Sequence, residues 1–409
     1  MTMRYSYPKE KIRILLLEGV HAGAIDTFNT AGYDARVLKT ALPEEELSEA
    51  VASIHILGVR SKTEVREPVL RAARRLLAVG CFCIGTDQVD LAAAAAKGVP
   101  VFNAPFSNTR SVAELTMAEV VMLARRATQH SMELHAGRWR KSSAGSHEVR
   151  GKTLGIVGYG HIGSQVGLLA EAFGMRVLFF DIARKLPLGN ALPVASLRKL
   201  LEGSDLVTLH VPDTPETRNM IGRRELLTMR PGSALLNLSR GSVVDLAALR
   251  AALASGHLAG AAVDVFPKEP VSNDEEFHCE LRGMENVILT PHVGGSTAEA
   301  QHSASIEVAG TLTKYLDTGT TTGAVNFPHV ELPLVQDRHR VLNIHRNVPG
   351  VLGNINRIVA GMGGNISAQH LGTRDEIGYL IMDLDQRLSK EVKRQIDLLD
   401  TTIKTRLLF

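Results

Sequence analysis

Three polar side chains stand just beyond apolar runs late in the chain. "LLNLSRGSVVD" presents Arg240, "AAVDVFPKEP" presents Asp264 and Glu269, and "ILTPHVGG" presents His292. Together they suit the oxidation of an alcohol to a ketone. Histidine, with a pKa of about 6.5, can receive the hydroxyl proton. A carboxylate beside it fixes the tautomer and favours the imidazolium. An arginine fork binds a substrate carboxylate bidentately and polarises the neighbouring carbonyl. The reaction also needs a hydride acceptor. "GIVGYGHIG" fits G-x-G-x-x-G through Gly158, Gly160 and Gly163, and Asp181 follows 18 residues after Gly163. That spacing suits a dinucleotide, with the acidic residue on the ribose.

Each part of the glycine motif has a physical role. Gly158 permits the tight turn, Gly160 lets the backbone approach a pyrophosphate, and Gly163 lets helix and strand pack closely. The helix amino terminus supplies free N–H groups to the phosphates. Asp181 can accept both ribose hydroxyls and would repel a 2′-phosphate, so NAD is expected over NADP. No G-x-x-x-x-G-K-[ST] loop occurs, and no histidine and carboxylate cluster has metal-ligand spacing. No metal is expected.

The elements that must position these residues come from alternation. Apolar runs at 12–19, 54–59, 76–80 and 99–103 read as buried strands, with helical segments at 64–75 and 90–97 between them. A second series at 152–158, 176–181, 205–210, 233–239, 260–266 and 286–291 reads as six more strands. Strand–helix alternation predicts parallel sheets covered on both faces, so the fold class is α/β with two Rossmann-like domains. Arg240, Glu269 and His292 then lie past the carboxyl ends of three late strands, where such sheets bind ligands. Helical segments at 111–136 and 297–316 link the two sheets. After a linker at 332–340, the order strand, helix, strand, strand, helix, strand predicts a ferredoxin-like βαββαβ unit. The domain expectation is 1–107 with 297–332 for substrate, 108–296 for the dinucleotide, and 338–409 for the tail.

Composition excludes several classes. At 409 residues, the chain should form two or three domains. A net charge of +3 and an aromatic content of 4% argue against a nucleic-acid partner. No apolar run is long enough for a membrane span or a signal-peptide core, so a cytoplasmic protein without a membrane partner is expected. Cys81, Cys83 and Cys279 make no disulfide framework or zinc site and read as reduced thiols.

The motifs quoted above, with "NAPFSNTRSVAE", "IGCFCIGTDQVDL", "DIARKLPLGNA" and "VNFP", resemble the D-2-hydroxyacid dehydrogenase family along nearly the whole chain. The likeness is strongest to members that act on D-3-phosphoglycerate and carry a C-terminal ACT domain. It implies oxidation of D-3-phosphoglycerate to 3-phosphohydroxypyruvate with NAD, the entry to serine synthesis. Reduction of 2-oxoglutarate to 2-hydroxyglutarate is an implied side activity. The family's arginine, glutamate and histidine match Arg240, Glu269 and His292. By the same likeness, NAD contacts include His161, Ile162, Asp181, Leu238, Ser239, Arg240, Asp264, His292, Val293, Gly294 and Gly295. The alternatives are a dehydrogenase for another 2-hydroxy acid and an NAD-sensing interaction protein on the same fold.

A phosphorylated hydroxy acid has two anionic ends, and Arg240 can hold only one. Arg60, Ser61 and Lys62 are candidates for the other, with Asn108 near the domain crossover and Lys141 from a neighbouring subunit. The resemblance supports Arg60, Ser61 and Asn108. It also implies a homotetramer that binds L-serine between paired ACT domains, at His345, Asn347 and Asn365. Two departures stand out. Arg346 brings a positive charge close to the expected serine ammonium, and the linker lacks a flexible Gly-Gly pair.

Overall fold

The apolar runs become strands because β-branched and leucine side chains can bury both faces of a parallel sheet. A computed structural model describes residues 8–270, 274–335 and 337–408. Most of the charged amino-terminal lead and Phe409, the expected last strand residue, lie outside the described residues. The chain divides into two compact units, Met1–Ser107 with Gln301–Phe409, and Asn108–Ala300.

The first unit holds two sheets. Strands β1 (Ile14–Leu16), β2 (Ala35–Val37), β3 (Ile56–Val59), β4 (Ala78–Cys81) and β5 (Val101–Phe102) pair in parallel in the order β2-β1-β3-β4-β5. This is a doubly wound order whose switch point lies between β1 and β3. Four strands were expected, and β2 is the addition. It is a short edge strand with half-exposed residues, so its sequence carries no apolar run. Leu15, Leu57, Val59 and Val79 line one face, and Ile14, Leu16, Ile56 and Ala78 line the other.

The second unit is built on seven parallel strands. They are β6 (Thr153–Val157), β7 (Arg176–Phe180), β8 (Leu192–Pro193), β9 (Leu206–Leu209), β10 (Ser233–Asn237), β11 (Leu258–Val263) and β12 (Val287–Leu289). Their order, β12-β11-β10-β9-β6-β7-β8, is the usual dinucleotide-binding order with one strand added beyond β11. The unforeseen β8 is a two-residue edge strand ending in proline. The helix expected over 111–136 is two helices, Thr109–Arg125 and Ala127–His135. They break at Arg126, whose φ of 51° is left-handed. The sequence there has neither glycine nor proline to announce a break.

The tail forms an antiparallel sheet in the first unit. Strands β13 (His339–Arg346), β14 (Ile366–Arg374), β15 (Ile377–Leu384) and β16 (Thr402–Leu408) are ordered β14-β15-β13-β16, with helices Val351–Gly361 and Ser389–Asp397. This is the expected ferredoxin-like unit. Val341, Leu380 and Met382 pack with Ile355 and Val392 of the helices. Leu342, Ile344, Tyr379 and Ile381 join the core of the five-stranded part. The linker ends sooner than expected, because His339 and Arg340 already belong to β13. Arg340 is 3% exposed and bidentate to Asp383, and it donates to the carbonyls of Thr318, Leu332 and Pro333. Those bonds compensate a buried charge that would otherwise be costly.

Candidate active site

Asp264 organises the loop that carries His292. It ends the segment leaving β11 and is 1% exposed. Its carboxylate accepts from Thr290 Oγ1 at 2.6 Å and from the N–H groups of Val293 at 2.9 Å and Gly294 at 2.8 Å. Its own carbonyl accepts the His292 N–H at 2.8 Å. Charge-assisted bonds of this kind are strong enough to hold an unfavourable backbone. His292 needs that hold, since its φ of 52° lies in the left-handed region. For a residue with a Cβ, that conformation costs about 1–2 kcal/mol.

The brace sets the imidazole against Glu269. His292 Nδ1 lies 2.8 Å from Oε2 and 3.0 Å from Oε1 of that carboxylate. Glu269 Oε1 also accepts the Phe266 N–H at 3.1 Å, which ties the loop after β11 to the imidazole. The hydrogen bond that Nδ1 donates to Glu269 raises the His292 pKa, and the charges of Glu269 and Asp264 add to it. Burial and the Arg240 charge oppose that rise. For Glu269, burial is the largest single influence and pushes the pKa upward. The His292 hydrogen bond and charge, the Phe266 N–H and the Arg240 charge together outweigh it and hold the carboxyl low. A carboxylate accepting Nδ1–H leaves the lone pair on Nε2, the nitrogen that can take a proton.

Arg240 follows β10 and is half-buried. Its Nη1 donates to the Ser239 carbonyl at 2.8 Å, and its own carbonyl accepts from Asn237 Nδ2 at 3.0 Å. Leu238 and Ser239 beside it are buried. Gly241 has no room for a side chain, because a Cβ would fall on the Phe266–Pro267 peptide. The backbones after β10 and β11 are thereby pressed together. Arg240 and Glu269 emerge from neighbouring strand ends, close enough for the arginine charge to act on both Glu269 and His292.

Asn108 reaches the same loop. A Cβ on Gly295 would collide with the Asn108 side chain, so glycine permits their approach. Lys141 lies in an exposed segment of this unit. Arg60 and Ser61 belong to the other unit, in the turn after β3. In the tail, His345 is 2% exposed, whereas Asn347 and Asn365 are exposed. His345 Nδ1 lies 2.9 Å from Asn343 Oδ1, and burial lowers its pKa. Asn347 Nδ2 donates to the Asp375 carbonyl, and Arg346 donates to that of Asp400.

The first turn of the seven-stranded unit fits a dinucleotide. Gly158 has a φ of 88° and donates to the Phe180 carbonyl at 2.8 Å. A Cβ on Gly163 would fall on the Gly158 carbonyl oxygen, whereas Gly160 faces open space. Helix His161–Ala172 begins there, with His161 exposed and Ile162 half-buried. Its first-turn N–H groups have no helical acceptor. Asp181 stands beyond β7, where its carboxylate accepts from Tyr159 N at 2.9 Å and Ala183 N at 2.8 Å. Each of its oxygens keeps a further lone pair for a hydroxyl.

Comparison with known proteins agrees with this geometry. Residues 117–294 match the model for "D-isomer specific 2-hydroxyacid dehydrogenase, NAD binding domain", and 342–404 match the "AHAS small subunit-like ACT domain". A D-3-phosphoglycerate dehydrogenase from Dictyostelium discoideum is 54% identical over 99% of each chain. One from Escherichia coli is 52% identical over 99% of this chain and all of its own. The chain belongs to the D-isomer specific 2-hydroxyacid dehydrogenase family. Solved structures similar to it include two with bound NAD. A D-lactate dehydrogenase from Aquifex aeolicus, also holding lactic acid, has a TM-score of 0.64 and 27% identity over 74% of this chain and 95% of that one. A formate dehydrogenase from Staphylococcus aureus has a TM-score of 0.65 and 30% identity over the same shares. This family member is therefore an NAD-dependent oxidoreductase with a C-terminal ACT-type domain.

Two residues of this unit escaped the sequence reading. Thr290, one of the donors to Asp264, has no motif value by itself. Glu119, on helix Thr109–Arg125, is 1% exposed, and neither carboxylate oxygen has a hydrogen-bond partner among the described residues. Burial first, and the Asp264 charge second, push its pKa up to about 8.

Proposed function

We propose that the chain oxidises D-3-phosphoglycerate to 3-phosphohydroxypyruvate with NAD, the first step of the phosphorylated route to L-serine. The observation that carries this reading is near-full-length similarity to proteins of that name, joined to the His292–Glu269 pair beside Arg240. Bound NAD supplies the hydride acceptor. Arg240 holds the substrate carboxylate with its guanidinium fork. His292 takes the hydroxyl proton at Nε2 as the carbinol hydrogen leaves as hydride, and the C–O bond becomes a carbonyl. Glu269 keeps Nδ1 protonated and stabilises the imidazolium until the proton leaves. In the reverse direction, the same imidazolium donates its proton to the ketone oxygen.

Arg60 and Ser61 take the substrate phosphate, with Asn108 as a further substrate contact and Lys141 from a neighbouring subunit. The parts are divided as 1–107 with 297–332 for substrate, 108–296 for NAD and 338–409 for regulation. L-Serine is the proposed effector, bound near His345, Asn347 and Asn365 in a homotetramer, and the match to an ACT domain supports it. Three cysteines free of disulfides suit a cytoplasmic setting. No helix among the described residues is long and apolar enough to cross a membrane.

The test is NADH consumption with 3-phosphohydroxypyruvate, unphosphorylated hydroxypyruvate and 2-oxoglutarate. Preference for the phosphorylated ketoacid supports the substrate assignment. Preference for another points to a different 2-hydroxy acid.

A further inference from the structure

At the switch point of the five-stranded sheet, the turn after β1 reaches across to the turn after β3. Glu18 makes the connection. Its Oε1 accepts the N–H groups of Arg60 at 3.0 Å and Thr63 at 2.9 Å, and its Oε2 accepts the Lys62 N–H at 3.0 Å. Three of four successive amides thus converge on one side chain from a segment 42 residues away. The carbonyl of Glu18 accepts from Arg60 Nη1 at 3.5 Å. Gln88 completes the hold by donating its side-chain N–H to the Arg60 carbonyl.

Glu18 adopts an unfavourable backbone to do this. Its φ is 61°, a left-handed conformation that glycine tolerates and glutamate does not favour. The turn is pinned on its other side, where the Glu18 N–H donates to the Thr40 carbonyl and the Gly19 N–H to that of Leu38. Strained backbone held by many bonds is a feature of functional sites. The clamp also decides what the turn presents. Convergent backbone amides would themselves form an anion nest, but Glu18 fills it. Ser61 and Lys62 are left exposed, with Arg60 half-exposed beside them.

We infer that Glu18 is a positioning residue for substrate phosphate recognition, holding the Arg60–Thr63 turn so that its side chains, rather than its amides, face the anion. This rests on the proposed substrate and on Arg60 and Ser61 as its phosphate ligands. A fixed guanidinium and hydroxyl discriminate by geometry, and small displacements of such groups are costly. The effect should therefore be confined to the phosphorylated end of the substrate.

Three forms of the full-length enzyme test this: wild type, Glu18→Gly and Glu18→Gln. The glycine variant removes the carboxylate while relieving the left-handed strain. The glutamine variant keeps an acceptor for the Arg60 and Thr63 amides and loses the one at Lys62. Steady-state rates with 3-phosphohydroxypyruvate and hydroxypyruvate are read beside hydrogen exchange at the amides of Arg60, Lys62 and Thr63. In Glu18→Gly, the KM for the phosphorylated ketoacid should rise about tenfold or more, with little change in kcat or in the KM values for hydroxypyruvate and NADH. Glu18→Gln should recover most of that loss, and exchange at the three amides should quicken in the glycine variant. An unchanged KM with freed amides overturns the inference. So does a lower KM, which would mean that Glu18 competes with phosphate for the nest. A wild type that does not distinguish the two ketoacids sinks the substrate assignment, and the inference with it, even if amide exchange shows that the clamp itself exists.

Discussion

Replacing Glu119 with glutamine should stabilise the protein, and by an amount that depends on pH. The carboxyl is 1% exposed with both oxygens unpartnered among the described residues, and its pKa is raised from 4.5 to about 8 by burial and then by Asp264. An acid whose folded pKa is raised contributes most favourably below its unfolded value. That contribution is lost as pH rises from about 4.5 through about 8. At pH 7 the folded protein must keep a proton that the unfolded chain has released, at a cost of about 3 kcal/mol from about 1.4 kcal/mol per pH unit. Glutamine has the size and polarity of the neutral acid without that cost. Urea unfolding of wild type and Glu119→Gln should give equal stabilities near pH 4.5, a gap of about 3 kcal/mol at pH 7, and a plateau above pH 8. A gap that does not vary with pH, or none at any pH, would refute an uncharged, buried Glu119. Asp264→Asn should shrink the gap, because the Asp264 charge is part of the cause.

The remaining predictions concern the site. Glu269→Gln removes the charge that helps raise the His292 pKa and leaves only a neutral, weaker acceptor for Nδ1–H, so the acid limb of the oxidation rate should move to lower pH. In the reduction direction, the alkaline limb should move down with it, and pH–rate profiles in both directions check this. Gly163→Ala drives a Cβ onto the Gly158 carbonyl and should weaken NADH binding by at least about tenfold, measured by fluorescence titration. Asp181→Ala removes the carboxylate expected at the ribose and should reduce the preference for NAD over NADP, read as a ratio of kcat/KM values.

Much of this architecture was legible because its signals are local. Buried parallel strands read as short apolar runs, and Gly158, Gly160 and Gly163 sit between one such run and a helix. His292 stood out because proline and glycines surround it in the sequence. The left-handed breaks at Arg126 and Glu18 were not legible, since nothing in their neighbourhood demands that conformation. The edge strands β2 and β8 carry too few buried residues to register. The bracing roles of Asp264 and Glu18 depend on contacts 26 to 45 residues away, which composition and periodicity do not encode. Glu119 lay inside a segment read as helical, but its burial follows from tertiary packing of that helix, which the sequence pattern does not encode.

The most direct test of the account is His292→Asn, assayed for NADH oxidation with 3-phosphohydroxypyruvate and, separately, for NADH binding. Asparagine keeps a polar side chain that tolerates the left-handed backbone but cannot carry the proton. The account predicts a fall in kcat of about 100-fold or more with NADH affinity nearly unchanged. Turnover close to wild type in that variant would contradict His292 as the acid and base.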